Sequence, residues 1–162
     1  MEDPSTSDVK LLVKNKVFHG HKAILSARSI IFSRIFEIHD IGKAKIVFLP
    51  DLESESFAEF LRFIYTGEID KLDQFAEQLL FAAAKYRIED LKVFCQHEMI
   101  NKLTTENAIG YLVKSHRYLA TLLKHKCIEF INSNSTEVIK RSEWTDLIKN
   151  HPYLITELYS KK

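Results

Sequence analysis

The sequence predicts an α+β fold: a small three-stranded sheet covered by helices, followed by an all-helical C-terminal extension. Strand-like alternation is confined to the first fifty residues. Helical apolar stripes fill the remainder. At 162 residues the chain can bury about 70% of its unfolded surface, enough for a core without disulfides or metals.

Val9, Leu11 and Val13 alternate with Lys10, Leu12 and Lys14, and the chain turns at Asn15-Lys16 and returns through Val17-Phe18-His19, a hairpin pattern. From Lys22 the period becomes helical through Ile24, Leu25, Ile31, Phe32, Ile35 and Phe36, with a break expected at Arg28-Ser29. Lys45 to Leu49 forms a third strand closed by Pro50. Ser56 to Glu59 fits a capping box ahead of the apolar face Phe57, Phe60, Leu61, Ile64 and Tyr65, and Gly67 supplies a stop. Phe75 to Ala84 is apolar nearly all round and belongs in the middle of the fold. Ile88, Leu91, Cys95 and Met99 stripe the next helix.

Beyond Asn101 only helices are predicted. Thr104 is read as a cap for a helix bearing Ile109, Leu112, Val113 and His116, and Leu119 to Ile131 as a second helix. A polar run at Asn132 to Thr136 ends that helix. Ser142 caps a last segment around Trp144, and Pro152 interrupts the chain before a short tail.

The composition excludes several classes of function. Lys and Arg number 23 against 22 Asp and Glu, a net charge of +1, so the clustered positive charge of a nucleic-acid binder is missing. No apolar run reaches membrane-spanning length, and the acidic start lacks the basic flank and apolar stretch of a secretory signal. Gly20, Gly42, Gly67 and Gly110 are too scattered for a phosphate-cradling loop, so the usual nucleotide-binding loops are absent. No cofactor and no small-molecule substrate are expected. Two cysteines form no disulfide framework, which points to an intracellular chain with reduced thiols.

The candidate chemistry is thin. His19 and His21 share a strand face but lack a third zinc ligand nearby. His97-Glu98 opens like a zincin helix, but Asn101 stands where the second histidine belongs. Cys95 with His97, and Cys127 with His125, are two residues apart on helices and point away from each other, so both thiols read as buried and structural. No catalytic or metal site is expected. More informative are Ile38 and Ile41, apolar residues in a connection that should be polar. They either fold back as cover or present a contact surface.

From Asp8 to Tyr86 the chain resembles a BTB/POZ domain. The likeness rests on Asp8-Val9, the run Val17-Phe18-His19-Gly20-His21-Lys22-Ala23-Ile24-Leu25-Ser26-Ala27-Arg28-Ser29, then Phe32-Ser33, Phe36-Glu37, Phe63-Ile64-Tyr65-Thr66-Gly67 and Ala82-Ala83-Ala84-Lys85-Tyr86. It is most similar to the speckle-type POZ protein group, and the similarity continues through Leu91-Lys92-Val93, Cys95, Leu103 to Ala108, Phe130-Ile131-Asn132 and Trp144.

The resemblance implies a non-enzymatic protein-interaction module of the nucleus or cytoplasm. Such a module dimerises and docks the N-terminal domain of cullin-3, as the substrate adaptor of a ubiquitin ligase. It implies a disordered segment at 1–7, a BTB/POZ domain at 8–101, and three-box and partial BACK-like helices at 102–162. Carried over by position, Ile38, Asp40, Ile41, Lys43 and Tyr86 would face cullin. Asp8 and Lys22 would form a charged pair near the dimer pocket, and Ile24 would be either a dimer-interface aliphatic or core. The family's loop carries a hydrophobic residue, any residue, then glutamate; here the nearest matches are Ile38-His39-Asp40 and Ile41-Gly42-Lys43. Only seven polar residues precede Asp8, where the family has an upstream helix and MATH domain, so the sequence is expected to be either a fragment of a longer protein or a short protein that self-associates weakly. The alternative is a self-associating scaffold or transcriptional cofactor module that does not bind cullin.

Overall fold

The computed structural model describes residues 5–41 and 46–160, with the backbone alone at 39–41. It divides into two compact units, Met1–Cys95 and Gln96–Lys162.

In the first unit the hairpin forms as the alternation predicts: β1 (Val9–Val13) pairs antiparallel with β2 (Lys16–Gly20), with Leu11 opposite Phe18. Lys14, at φ 53°, makes the left-handed step of the turn. Helices α1 (Lys22–Arg28) and α2 (Ile30–Ile41) follow, and β3 (Ile46–Phe48) then runs parallel to β1 in the order β2-β1-β3. A parallel pairing needs a long crossover, which the α1–α2 pair provides.

The break between α1 and α2 falls at Ser29, as the sequence pattern indicates. Its extended backbone halts α1 while its hydroxyl accepts the Phe32 N–H at 3.2 Å and donates to the Tyr86 carbonyl at 2.6 Å. One buried side chain thus starts α2 and fastens it to Tyr86, the last residue of a later helix. Beneath the sheet, Val9, Leu11, Val13, Phe18 and Val47 meet Leu25 and the aromatic side of α3 (Ser54–Thr66) in the core. An unbroken aromatic chain runs through that core. Phe18 meets Phe57 edge-on at 5.0 Å, Phe57 stacks on Phe60 at 5.7 Å, Phe60 meets Tyr86 at 5.3 Å, and Tyr86 stacks on Phe32 at 4.4 Å.

The expected capping box is displaced. Helix α3 begins two residues before Ser56, and the Ser56 hydroxyl donates to the Glu53 carbonyl. Glu59 caps no amide of its own helix; it accepts the Asp70 and Lys71 N–H groups and steadies the α3–α4 connection. Gly67 does end α3, at φ 76°, its N–H donating to the Phe63 carbonyl. Helix α4 (Leu72–Tyr86) is central, burying Ala76, Leu79, Leu80, Ala82, Ala83 and Tyr86. Helix α5 (Glu89–Asn101) buries the predicted stripe of Leu91, Cys95 and Met99.

The second unit is helical throughout: α6 (Ala108–Arg117), α7 (Thr121–Ser133), α8 (Ser135–Val138), α9 (Ser142–Asn150) and α10 (Pro152–Tyr159). Its core is Leu112, Leu123, Cys127, Ile131, Leu147, Leu154 and Leu158. Four details differ from the sequence reading. Thr104 does not cap α6; Asn107 holds a turn before it by accepting the Thr104 N–H and donating to the Lys102 carbonyl. Ser142 spends its hydroxyl on the Glu143 carboxylate. Pro152 starts a helix, since its fixed φ and missing N–H suit a first turn. Leu119 lies outside α7, in the left-handed region at φ 52°.

Because no atom lies within 4 Å of a Cβ built at Gly67, substitution there tests conformation alone. Gly67→Ala should lower stability by about 1 kcal/mol in a denaturant titration. An unchanged midpoint would show that the turn is not strained.

Candidate interaction surfaces

The first surface is the C-terminal end of α2. The sequence reading makes Ile38 to Lys43 a loop, but α2 continues through Ile41. Phe32 and Phe36 hold its inner face in the core, and two residues beyond Phe36 the chain points to the opposite side of the helix. Ile38 therefore stands outward, 69% exposed. The side chains of Asp40 and Ile41, and the whole of Gly42 and Lys43, lie outside the described residues.

Tyr86 does not share that surface. Its side chain is fully buried, because it fills the gap between Phe32 and Phe60, so it supports α2 from below. Its hydroxyl is buried with no hydrogen-bond partner among the described residues. Burial, reinforced by the Asp51 charge, pushes this phenol far above its ordinary value and keeps it neutral. Asp51 itself pairs with Lys85, whose ammonium sits 5.7 Å from the Tyr86 ring centre.

The second surface surrounds the start of α1. Helix α1 has no side-chain cap from its own N-cap residue, His21. Asp8, at the head of β1, supplies one by accepting the Lys22 N–H at 2.8 Å. The Asp8 carboxylate thus reaches the Lys22 backbone, and the Lys22 ammonium lies 6.0 Å from the Phe36 ring centre. His21 is held by Tyr65, whose hydroxyl accepts the His21 N–H and lies 2.9 Å from Nδ1. Thr6 and Ser7, expected within a disordered start, bond to His21 and His19. Ile24 is 39% exposed beside this network, so it is not a core residue.

A third surface escaped the sequence reading. The outer face of the sheet carries Leu12, Val17, Ile46 and Phe48, and the last three are about half exposed. The signal was present in the run Ile46-Val47-Phe48: with Val47 inward, period two sends both large neighbours outward.

The reactive residue types do not converge. His19 and His21 are engaged by Ser7, Thr6 and Tyr65, and among the described residues no group of three or more His, Cys, Asp or Glu could hold a metal ion. Cys95 and Cys127 are both free and buried, and burial pushes each thiol up to about 12. A thiol so protonated is a poor nucleophile. No helix among the described residues is long and apolar enough to cross a membrane.

This is the geometry of a protein-interaction module: apolar side chains held outward on a rigid core. Comparison with known proteins gives the family. The family model of the BTB/POZ domain matches residues 1–103, well over half of the chain, and the chain belongs to the BTB/POZ domain family. Among solved structures it is similar to the BTB domain of zebrafish PATZ1, with 28% sequence identity over 60% of this chain and 77% of that one, and a TM-score of 0.52. BTB domains mediate protein–protein interaction, including self-association, and the family is generally non-enzymatic.

Two predictions follow from the buried groups. Tyr86→Phe removes a hydroxyl that has no partner among the described residues, so it should leave stability unchanged or raise it by up to about 1 kcal/mol. A loss of more than that on thermal melting would mean the hydroxyl is satisfied. For the cysteines, the folded thiols hold protons that the unfolded chain releases above about pH 9. Their contribution to stability is therefore complete below that pH and falls as pH rises toward 12. Native protein should resist iodoacetamide at about pH 8 and label only on unfolding; rapid native labelling would contradict their burial.

Proposed function

We propose that this BTB/POZ module is a substrate adaptor that docks the N-terminal domain of cullin-3 and so joins a ubiquitin ligase. The observation that supports it most is Ile38, a large aliphatic side chain held outward at the end of a helix anchored by stacked aromatics. Burying such a side chain in a partner pocket contributes about 1.5–3 kcal/mol, the scale of an interface hot spot. The stretch Ile38-His39-Asp40 keeps the hydrophobic–any–acidic order of the family's cullin-facing motif with a shorter carboxylate. Likeness to the speckle-type POZ group, through Cys95, Leu103 to Ala108 and Trp144, supports the same reading, with the helices after Asn101 acting as three-box and BACK-like elements. The protein then works inside the cell, in the nucleus, the cytoplasm or both.

Isothermal titration of the cullin-3 N-terminal domain tests this. The wild type should bind with a Kd below roughly 10 micromolar, and Ile38→Glu should weaken binding at least about tenfold. No binding by the wild type at tens of micromolar would end the ligase reading.

A second reading, a self-associating scaffold or transcriptional cofactor module without cullin contact, is favoured by Ile24, exposed beside the Asp8-capped start of α1. In sedimentation velocity the wild type should show a dimer that Ile24→Asp converts to monomer. A monomer at every concentration tested would remove the scaffold reading.

A further inference from the structure

We propose that the open face of the β2-β1-β3 sheet is a docking site for a short, extended partner segment that is apolar and acidic. The register builds the site. Val17, Leu12 and Phe48 form one cross-strand row, since Leu12 pairs with Val17 on one side and with Phe48 on the other. His19, Lys10 and Ile46 form the next row by the same pairings. Inward-facing Val9, Leu11, Val13, Phe18 and Val47 fill the core, so the outward set has no packing duty beneath it. Val17, Ile46 and Phe48 are nevertheless 46%, 52% and 58% exposed. Neighbouring strands lie about 4.8 Å apart, which makes these side chains one continuous patch.

Size and charge select the occupant. Three half-exposed side chains leave on the order of 300 Å² of apolar surface, the scale of a single functional patch. A stable interface between two copies needs about 800 Å² from each, well beyond this face. Stacking two copies would also bring Lys10 toward Lys10, because lysine is the one formally charged residue among the six outward positions and none of the six is a carboxylate. A segment of a few residues in which aliphatic side chains alternate with Asp or Glu meets both conditions: period two sets its apolar side chains onto the patch and a carboxylate near Lys10 and His19. This site does not rest on the adaptor reading, since neither Ile38 nor any other residue carried over from the family lies among the six.

The test is methyl-resolved NMR on the full chain with two synthetic heptapeptides, one alternating leucine with glutamate and one alternating leucine with lysine. The leucine–glutamate peptide should shift the Leu12, Val17 and Ile46 methyls saturably, and the leucine–lysine peptide should bind at least about tenfold more weakly. Lys10→Glu should reverse that order. Phe48→Glu should abolish the shifts while leaving the melting temperature within a few degrees of wild type; if that variant does not fold, the Lys10→Glu reversal alone decides. Equal response to both peptides, shifts elsewhere on the protein, or no saturable shift at millimolar peptide would overturn the proposal. So would self-association in light scattering that Phe48→Glu removes, which would make the occupant a second copy. Cullin binding that Ile38→Glu weakens and Phe48→Glu leaves intact separates the two surfaces whichever way the peptide result falls.

Discussion

The first unit depends on one junction, where Ser29, Phe32, Phe60 and Tyr86 meet. The Ser29 hydroxyl hydrogen-bonds both the first turn of α2, at the Phe32 N–H, and the last carbonyl of α4, and the Phe32 ring stacks on Tyr86 immediately beside it. Stacked aromatic pairs contribute roughly 0.5–1.5 kcal/mol beyond the area they bury. Directionality matters more than that sum: hydrogen bond and stacked rings together fix the rotation of α2 about its axis. That rotation decides which residues face water. With Phe32 and Phe36 inward, Ile38 has no place in the core.

The three exposed surfaces follow from local geometry of this kind. At the end of α2 the helical period turns an isoleucine outward. At the start of α1 a carboxylate from β1 replaces the cap that His21 does not give, and Ile24 is carried on the helix so begun. On the sheet, strand period two sends Phe48 and Ile46 to the side away from Val47. An interaction module needs no more chemistry than this. A rigid core reduces the entropy cost of ordering the contact side chains when a partner arrives.

Much of this was legible in the residues themselves. The hairpin, the break at Ser29, the Gly67 stop and the all-apolar α4 rest on short-range rules of period and backbone preference, and each was readable from a few neighbours. Features that needed a distant partner were not. Ser56 sits in a capping-box pattern, yet the helix starts earlier, and Glu59 serves the amides of Asp70 and Lys71 eleven and twelve residues away. Pro152 reads as a breaker because proline both ends and begins helices, and only the residues packed behind it tell which. Tyr86 shows the limit most plainly. Position within a family motif put it on the partner-facing side, but its burial is settled by Phe32 and Phe60 from other helices. The outer sheet face was missed for the opposite reason: its alternation was visible, but exposure depends on what covers the strands.

If the aromatic junction holds α2 in place, its C-terminal turn should meet a partner without rearrangement. Hydrogen–deuterium exchange, with and without the cullin-3 N-terminal domain, tests it most directly. In the free protein the amides from Phe32 to Phe36 should already exchange slowly, and added partner should newly protect the last turn of α2 while leaving the slow amides as they were. Fast exchange across the whole of α2 in the free protein, or protection that avoids its last turn, would contradict the account.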